Sequence, residues 1–443
     1  MKRLLAQLPQ PLEALLGRLV RVGHAAEPNL RSVKRRLPPV LRIRPFAVLW
    51  AALLANGLAS QMLAVAIGWQ VYTIHRNPLD LGLVGLMEFL PLPLLALPAG
   101  HLADRFPRRL VSAAALTLNV VIALLLVVVT LAGARTLWPF LAIAAIAGVA
   151  GVVGNPAARA LTPELVPGEL LAVALAYRSI AGQIGVIAGP ALGGIVFAIE
   201  PVAVYATAAV LLSVSVVAIL SLPATAVAPL PGEDQGWEGL IAGVRFVLRT
   251  RMLLGAIGLD LVAVLLGDSI ALAPVFARSI LHVGPIGLGL LRTAPSVGAL
   301  TAALLLARRP LRTAAGTTLL SVVAVFGVGM IVFGFSKSLP LSLGALVVTG
   351  FADMISMNIR STAAMLLTPP ALQGRVSAVE WVFIGASNEL GAFESGALAR
   401  LVGAVPAVVA GGAIMIGVAA TWTRAFPALA RMGRLEDLQA EPA

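Results

Sequence analysis

The chain has 443 residues, of which 59% are hydrophobic and only 12% charged, and its mean hydropathy is +0.97. This composition excludes an ordinary soluble domain, in which about 25% of residues are charged. The formal net charge of +12 would suit nucleic-acid binding in a soluble protein. Here the basic residues lie in short connections between apolar runs, so we interpret them as membrane-topology signals and expect no nucleic-acid partner.

The sequence contains no cysteine, which excludes disulfides and cysteine-ligated metal sites. The four histidines are scattered without metal-ligand spacing, so we expect no metal and no cofactor. No nucleophile–base pair stands out either, and we do not expect an enzyme.

Residues 1–45 form a basic segment that does not resemble a secretory signal peptide, because Pro9 and Pro11 break its short apolar stretch. Leucines at helical spacing between Leu12 and Leu19 predict a helix lying on an anionic membrane surface. A basic tail that only sets the orientation of the chain is an equal alternative.

Recurring apolar runs of span length predict twelve transmembrane helices. They fall near 46–74, 82–103, 109–132, 137–158, 170–197, 202–222, 252–280, 286–307, 313–335, 339–364, 374–402 and 404–425. The polar loop 223–251, with an amphipathic helix from Trp237 to Leu248, divides the chain into bundles 46–222 and 252–425. Residues 426–443 form a C-terminal tail.

The two halves share a sequence pattern at a constant offset. Leu161-Thr162-Pro163 recurs as Leu367-Thr368-Pro369, 206 residues later, and several small residues downstream keep this offset. The pattern indicates two parallel six-helix repeats, an architecture that places a transport site at their interface. Arginines concentrate in alternate connections, which predicts that both termini lie in the cytoplasm.

The connection between spans two and three reads Gly-His-Leu-Ala-Asp-Arg-Phe-Pro-Arg-Arg from residue 100. This string resembles the signature loop of the major facilitator superfamily, with Pro107 replacing a frequent glycine. The resemblance implies an all-α membrane fold of two pseudo-symmetric six-helix bundles. It also implies a cytoplasmic charge network that latches the halves in the outward-open state. We assign to this gate Gly100, Asp104, Arg105, Arg108, Arg109, Arg360 and Glu380. A basic turn that only fixes topology is the alternative.

The fifth span contains Gly-x-x-x-Gly-Pro-x-x-Gly-Gly, formed by Gly185, Gly189, Pro190, Gly193 and Gly194. Three glycines spaced four residues apart leave one helix face without side chains, so a neighbouring helix can approach closely. The string is similar to the superfamily's antiporter motif, which occurs mainly in proton-driven exporters. An ordinary small-residue packing face is the alternative.

The eleventh span carries three glutamates, and each charge at mid-membrane costs roughly 2.5–3.5 kcal/mol on insertion scales. This span resembles an enterobactin-exporter-like branch of the superfamily, which implies siderophore or drug-like cargo. The candidates for proton coupling or substrate contact are Glu88, Arg178, Asp260, Asp268, Arg292, Asp353, Glu389 and Glu394. We hypothesise that Asp260, Asp268, Glu389 and Glu394 include the coupling site, with Arg292 or Arg178 as its partner or as an anion contact.

Together these features predict a monomeric exporter of a small organic molecule, working by proton antiport and alternating access in a bacterial inner membrane. No phosphate-binding P-loop motif is present, so an ion gradient is the expected energy source. An importer or a lipid flippase on the same fold is one alternative. A membrane receptor or scaffold without transport is another.

Overall fold

The computed structural model describes residues 38–95, 105–223, 237–267, 269–309 and 314–435, and within them every regular element is helical. The main helices are α1 Arg44–His75, α2 Pro78–Leu95, α3 Arg108–Leu131, α4 Trp138–Leu165, α5 Leu171–Ile199, α6 Pro201–Leu220, α7 Trp237–Arg249, α8 Arg251–Gly267, α9 Gly284–Arg308, α10 Ala315–Phe335, α11 Leu339–Leu367, α12 Gln373–Val402 and α13 Ala404–Ala425. The all-α prediction is confirmed.

Eleven helices of the described residues are long and apolar enough to cross a membrane. The helix α12 spans 30 residues but is less apolar, because it carries three glutamates. It packs among the other spans, against α2, α8 and α13, and completes the second bundle. The protein is therefore a multi-pass membrane protein with bundles α1–α6 and α8–α13, and the amphipathic helix α7 lies between them in sequence.

One span prediction is confirmed with added detail, and another is corrected. The seventh span was predicted near 252–280, and a membrane-length apolar segment over Arg251–Ile280 agrees with it. Within this segment α8 covers Arg251–Gly267, and short turns and a π-helix over Phe276–Ile280 follow. Pro274 lies in the first turn of the short helix Ala273–Val275, where its missing N–H costs no helical hydrogen bond. The fourth span was predicted to end at residue 158, but α4 continues through Pro163 to Leu165.

The bundles pack with matching partners. In the first bundle α1 packs on α5 and α6, and in the second the equivalent helix α8 packs on α12 and α13. Between the halves, α2 packs on α12 and α5 on α9. These two pairs join the second span to the eleventh and the fifth to the eighth, so they are equivalent under the repeat.

Successive spanning helices run in opposite directions, so their ends lie at two opposite faces of the molecule. We call the end that carries the start of α1 and the end of α13 the terminal face, and the opposite end the distal face. Backbone N–H groups of Ala315 and Gly316 donate to carbonyls of Gly433 and Met432, which holds the C-terminal segment at the terminal face. The predicted helix within residues 1–37, and residues 96–104 and 224–236, lie outside the described residues.

Candidate functional site

A cavity of about 320 Å³ lies within the second bundle and reaches the first bundle at Gln61 of α1. Its volume is within the usual range for small-molecule sites. One wall is apolar and includes Phe326, Met330 and Met415. The polar lining combines acids, bases and an amide: Asp260, Arg292, Asp353, Arg360 and Asn388. Asp353 is exposed to this space.

An ion pair borders the cavity on the side of the terminal face. Arg360 of α11 donates from Nη1 to Oδ1 of Asp260 on α8 at 2.5 Å, and the two side chains are only 10% and 13% exposed. The Arg360 Nε also donates to Ser356 Oγ at 3.2 Å. Glu380 of α12 interacts electrostatically with both members of the pair. The three helices α8, α11 and α12 thus meet around one guanidinium, within one half of the molecule.

A second charged cluster joins the two halves. Arg292 of α9 interacts electrostatically with Glu88 of α2 and with Glu389 of α12, and the two carboxylates interact with each other. The close approach of α2 to α12 depends on Gly85 of α2, where an added Cβ would lie 3.1 Å from Oε2 of Glu389. Glu389 comes sixteen residues after the start of α12, about 24 Å along the helix axis. Thirteen residues, or about 20 Å, follow Glu389 to the end of α12 at Val402, so the cluster lies near the middle of this helix.

The glycines of α5 provide close helix contacts. An added Cβ at Gly185 would lie 2.8 Å from the carbonyl carbon of Gly57 on α1, and one at Gly193 would lie 2.8 Å from the Cα of Met62. Gly194 faces the other half, where its Cβ would lie 2.5 Å from the carbonyl oxygen of Pro285 on α9. The same helix therefore packs on α1 within its bundle and on α9 across the interface.

The sequence matches the model of the transmembrane secretion effector family over residues 37–438. The chain belongs to this family of the major facilitator superfamily. No curated protein sequence matches it significantly.

Solved transporters share the fold of this family member at low sequence identity. A mutant of the nucleoside transporter NupG aligns with a TM-score of 0.70 and 14% identity, over 86% of this chain and 100% of that one. A bacterial homologue of the human lysosomal transporter Spinster aligns with a TM-score of 0.68 and 15% identity, over 92% and 100%. A bacterial homologue of the iron transporter ferroportin gives 0.62 and 17%, over 87% and 100%. These likenesses show the major facilitator fold.

In this transporter Arg178 of α5 contacts the backbone of α4. Its Nη1 donates to the carbonyl oxygens of Ala158 at 2.9 Å and Arg159 at 3.0 Å, and to Thr162 Oγ1 at 3.1 Å. Pro163 cannot donate to the carbonyl of Arg159, four residues earlier. Arg178 supplies a donor to that carbonyl where α4 continues through Pro163. The hydrogen bonds of Arg178 are thus with α4, whereas Arg292 interacts with Glu88 and Glu389.

The predicted gate residues are only partly described. Gly100, Asp104 and the candidate Asp268 lie outside the described residues, and Arg105 is exposed. Arg108 forms an ion pair with Glu164 at 2.9 Å, and Arg109 donates to the carbonyl oxygen of Leu222. Both bonds stay within the first bundle. Glu394 is half-buried on α12 beside Ser395, whose Oγ lies 3.4 Å from that of Ser269.

Sequence reasoning missed a set of contacts that joins the halves at the distal face. Tyr72 Oη and Ser279 Oγ are 2.8 Å apart, and Arg278 donates from Nη1 to Thr73 Oγ1 at 2.8 Å. The guanidinium of Arg278 also lies 5.2 Å from the ring centroid of Trp69. We call these five residues the distal closure. The only sequence signal was Arg278 itself, a basic residue in a connection that the charge pattern assigns to the outer side.

Proposed function

We propose that this transporter is a secondary active exporter that exchanges a small organic molecule, siderophore-like or drug-like, for protons. The cluster of Glu88, Arg292 and Glu389 carries the proposal, because it combines two carboxylates and one guanidinium from both halves of the molecule. The family's description as secretion effectors supports export over import.

The charge balance of this cluster suits proton exchange. One guanidinium neutralises one carboxylate, so a second carboxylate at this depth is most stable when it binds a proton. Glu88 belongs to the first half, whereas Arg292 and Glu389 belong to the second. When the halves move apart at α2 and α12, Glu88 separates from Arg292 and the charge balance changes. Proton binding is thereby tied to the conformation of the transporter.

The cavity beside this cluster suits an amphipathic cargo. Its apolar wall can take a ring or an alkyl part, while Asn388 and Gln61 offer neutral hydrogen-bonding groups. The Asp260–Arg360 pair and Glu380 lie on the path from this cavity to the terminal face, where they can latch the helices of the second half. This mixed lining supports a siderophore-like or drug-like cargo, and the resemblance of α12 to the enterobactin-exporter-like branch supports the same proposal.

We infer that the structure represents a state closed at the distal face. The distal closure, the contact of Gly396 with Pro78 and the contact of Gly194 with Pro285 all join the halves there. The ion pairs Arg108–Glu164 and Asp260–Arg360, nearer the terminal face, each lie within one half. Arginines are concentrated at the terminal face, so we assign this face to the cytoplasm of a bacterial inner membrane and describe the state as inward-open.

The coupling proposal is tested with purified full-length protein in liposomes that carry an imposed pH gradient. A catecholate siderophore and the amphipathic dye ethidium serve as trial cargoes, and an encapsulated pH dye reports proton flux. We expect cargo-dependent proton flux in the wild type, its loss in Glu88→Gln and Glu389→Gln, and its retention in the control Glu169→Gln. Glu169 is an exposed carboxylate outside the cluster. Full pH-driven flux in both cluster variants would refute proton coupling at this site.

The direction of coupling separates the exporter from its main rival. Antiport moves cargo toward the acidic compartment, whereas a proton-coupled importer moves cargo and protons together. Cargo accumulation in the alkaline compartment would therefore replace our proposal with symport. Cargo-for-cargo exchange without a gradient, retained in Glu389→Gln, shows that the variant is folded and that the loss concerns protons alone.

Alternating access is tested by distances between spin labels, which the cysteine-free sequence allows without background labelling. Thr136→Cys with Lys337→Cys reports on the distal face, and Glu169→Cys with Arg309→Cys reports on the terminal face. All four positions are exposed. We expect one distance to grow as the other shrinks when pH or cargo changes. Two invariant distances would favour a receptor or scaffold that does not transport.

A further inference from the structure

The helix α7 has two faces with different surroundings. Its inner face packs on the second bundle through Gly243, Phe246 and Val247, which are all buried. The contact with α12 is close, since an added Cβ at Gly243 would lie 2.8 Å from the carbonyl oxygen of Arg375 and 3.1 Å from Val379. The helix is therefore held against the first turns of α12.

The outer face of α7 combines apolar and basic side chains. Ile241 and Leu248 are 49% and 60% exposed, and Arg245 and Arg249 are exposed beside them. Residues 241, 245 and 248 follow the spacing of one helix face. Apolar side chains beside arginines on one exposed face are typical of helices that lie in the headgroup region of a membrane, where the apolar groups enter the acyl boundary.

The position of α7 places this face at the membrane surface. The spanning helix α8 begins at Arg251, directly after α7, and the N–H of Leu254 donates to the carbonyl of Thr250 at the junction. Arg251 is exposed too. Since α8 enters the bilayer here, Leu248 and Arg249 lie within a few residues of the lipid headgroups. Ile241 and Leu248 would otherwise be left in water.

We propose that the outer face of α7 binds the anionic phospholipid headgroups of the bilayer, and that this binding holds α12 in place. Charge complementarity selects this occupant, because guanidinium groups pair well with phosphate and the neighbouring Ile241 and Leu248 are apolar. The lipid is coupled to the transport machinery through Gly243, which contacts α12 next to Glu380. This inference depends on the membrane location of the protein and not on the proposed cargo or its direction.

Lipid exchange on the purified full-length protein tests the proposal. Native mass spectrometry compares retention of phosphatidylglycerol with retention of phosphatidylcholine in the wild type and in the double variant Arg245→Gln/Arg249→Gln. Attraction of about 1 kcal/mol per arginine corresponds to about fivefold in affinity. We therefore expect the double variant to lose phosphatidylglycerol preference by about tenfold or more, and high salt to weaken the wild-type preference.

The matched control is Arg308→Gln/Arg309→Gln, which removes two exposed arginines at the end of α9. We expect it to keep most of the preference. Equal losses in both double variants would show a general effect of net charge and overturn the assignment to α7. A third variant, Leu248→Cys, gives the chain a single cysteine. Disulfide-linked dimers formed through this cysteine in liposomes would show that a second copy of the chain covers this face. That result would also overturn the proposal.

Discussion

On helix α5, replacing glycine by alanine is expected to stabilise the protein at one position and to destabilise it at another. Replacing glycine by alanine inside a helix stabilises it by about 1 kcal/mol through backbone propensity alone. At Gly182 the added Cβ meets nothing within 4 Å, so only this gain applies. At Gly185 the Cβ would lie 2.8 Å from the carbonyl carbon and 2.9 Å from the Cα of Gly57.

The clash at Gly185 involves backbone atoms, which cannot rotate away. Carbon atoms pack best at about 3.5–4.0 Å, so α1 must retreat by about 0.7 Å or more. Overpacking of this kind costs about 1–3 kcal/mol, and a backbone neighbour places it in the upper part of that range. After the propensity gain is subtracted, we expect Gly185→Ala to lower the free energy of unfolding by about 1–2 kcal/mol.

The measurement is denaturant unfolding of both variants in one detergent, followed by tryptophan fluorescence. We expect Gly182→Ala to be as stable as the wild type or more so, and Gly185→Ala to be less stable. If the two variants prove equally stable, the close contact between α1 and α5 does not exist as described, and the glycine face needs another explanation.

Three further predictions concern charged side chains. Removing one member of a buried ion pair costs about 3–5 kcal/mol, so Arg360→Gln should unfold in less denaturant than the wild type. Adding Asp260→Asn should recover part of this loss of stability. If the stability losses of the two single variants simply add in the double variant, the pairing is contradicted. Arg178→Gln should lower the denaturant midpoint of unfolding. The decrease should be smaller in a Pro163→Ala background, because the alanine N–H replaces the missing donor. An equal decrease in both backgrounds would contradict the role assigned to Arg178. Arg278→Gln should lengthen the spin-label distance at the distal face, because it removes a charged hydrogen bond and a cation–π contact across the halves; an unchanged distance would show that these contacts do not hold that face closed.

The sequence by itself determined that the chain spans a membrane many times as a pair of helical repeats. Span-length apolar runs admit few other structures, because backbone groups in hydrocarbon must be paired within a helix or a closed barrel. The glycine spacing of α5 also indicated a close-packing face, since a four-residue interval returns to the same side of a helix.

Only the tertiary structure decided which ionisable residues meet. Arg178 and Arg292 look alike in sequence, since each is a lone arginine in an apolar span. Arg178 binds the backbone of α4 beside Pro163, whereas Arg292 interacts electrostatically with Glu88 and Glu389. Periodicity fixes the direction of a side chain from its own helix axis, but not the neighbouring helix that it faces. That neighbour depends on how the two bundles pack, through contacts between residues hundreds of positions apart.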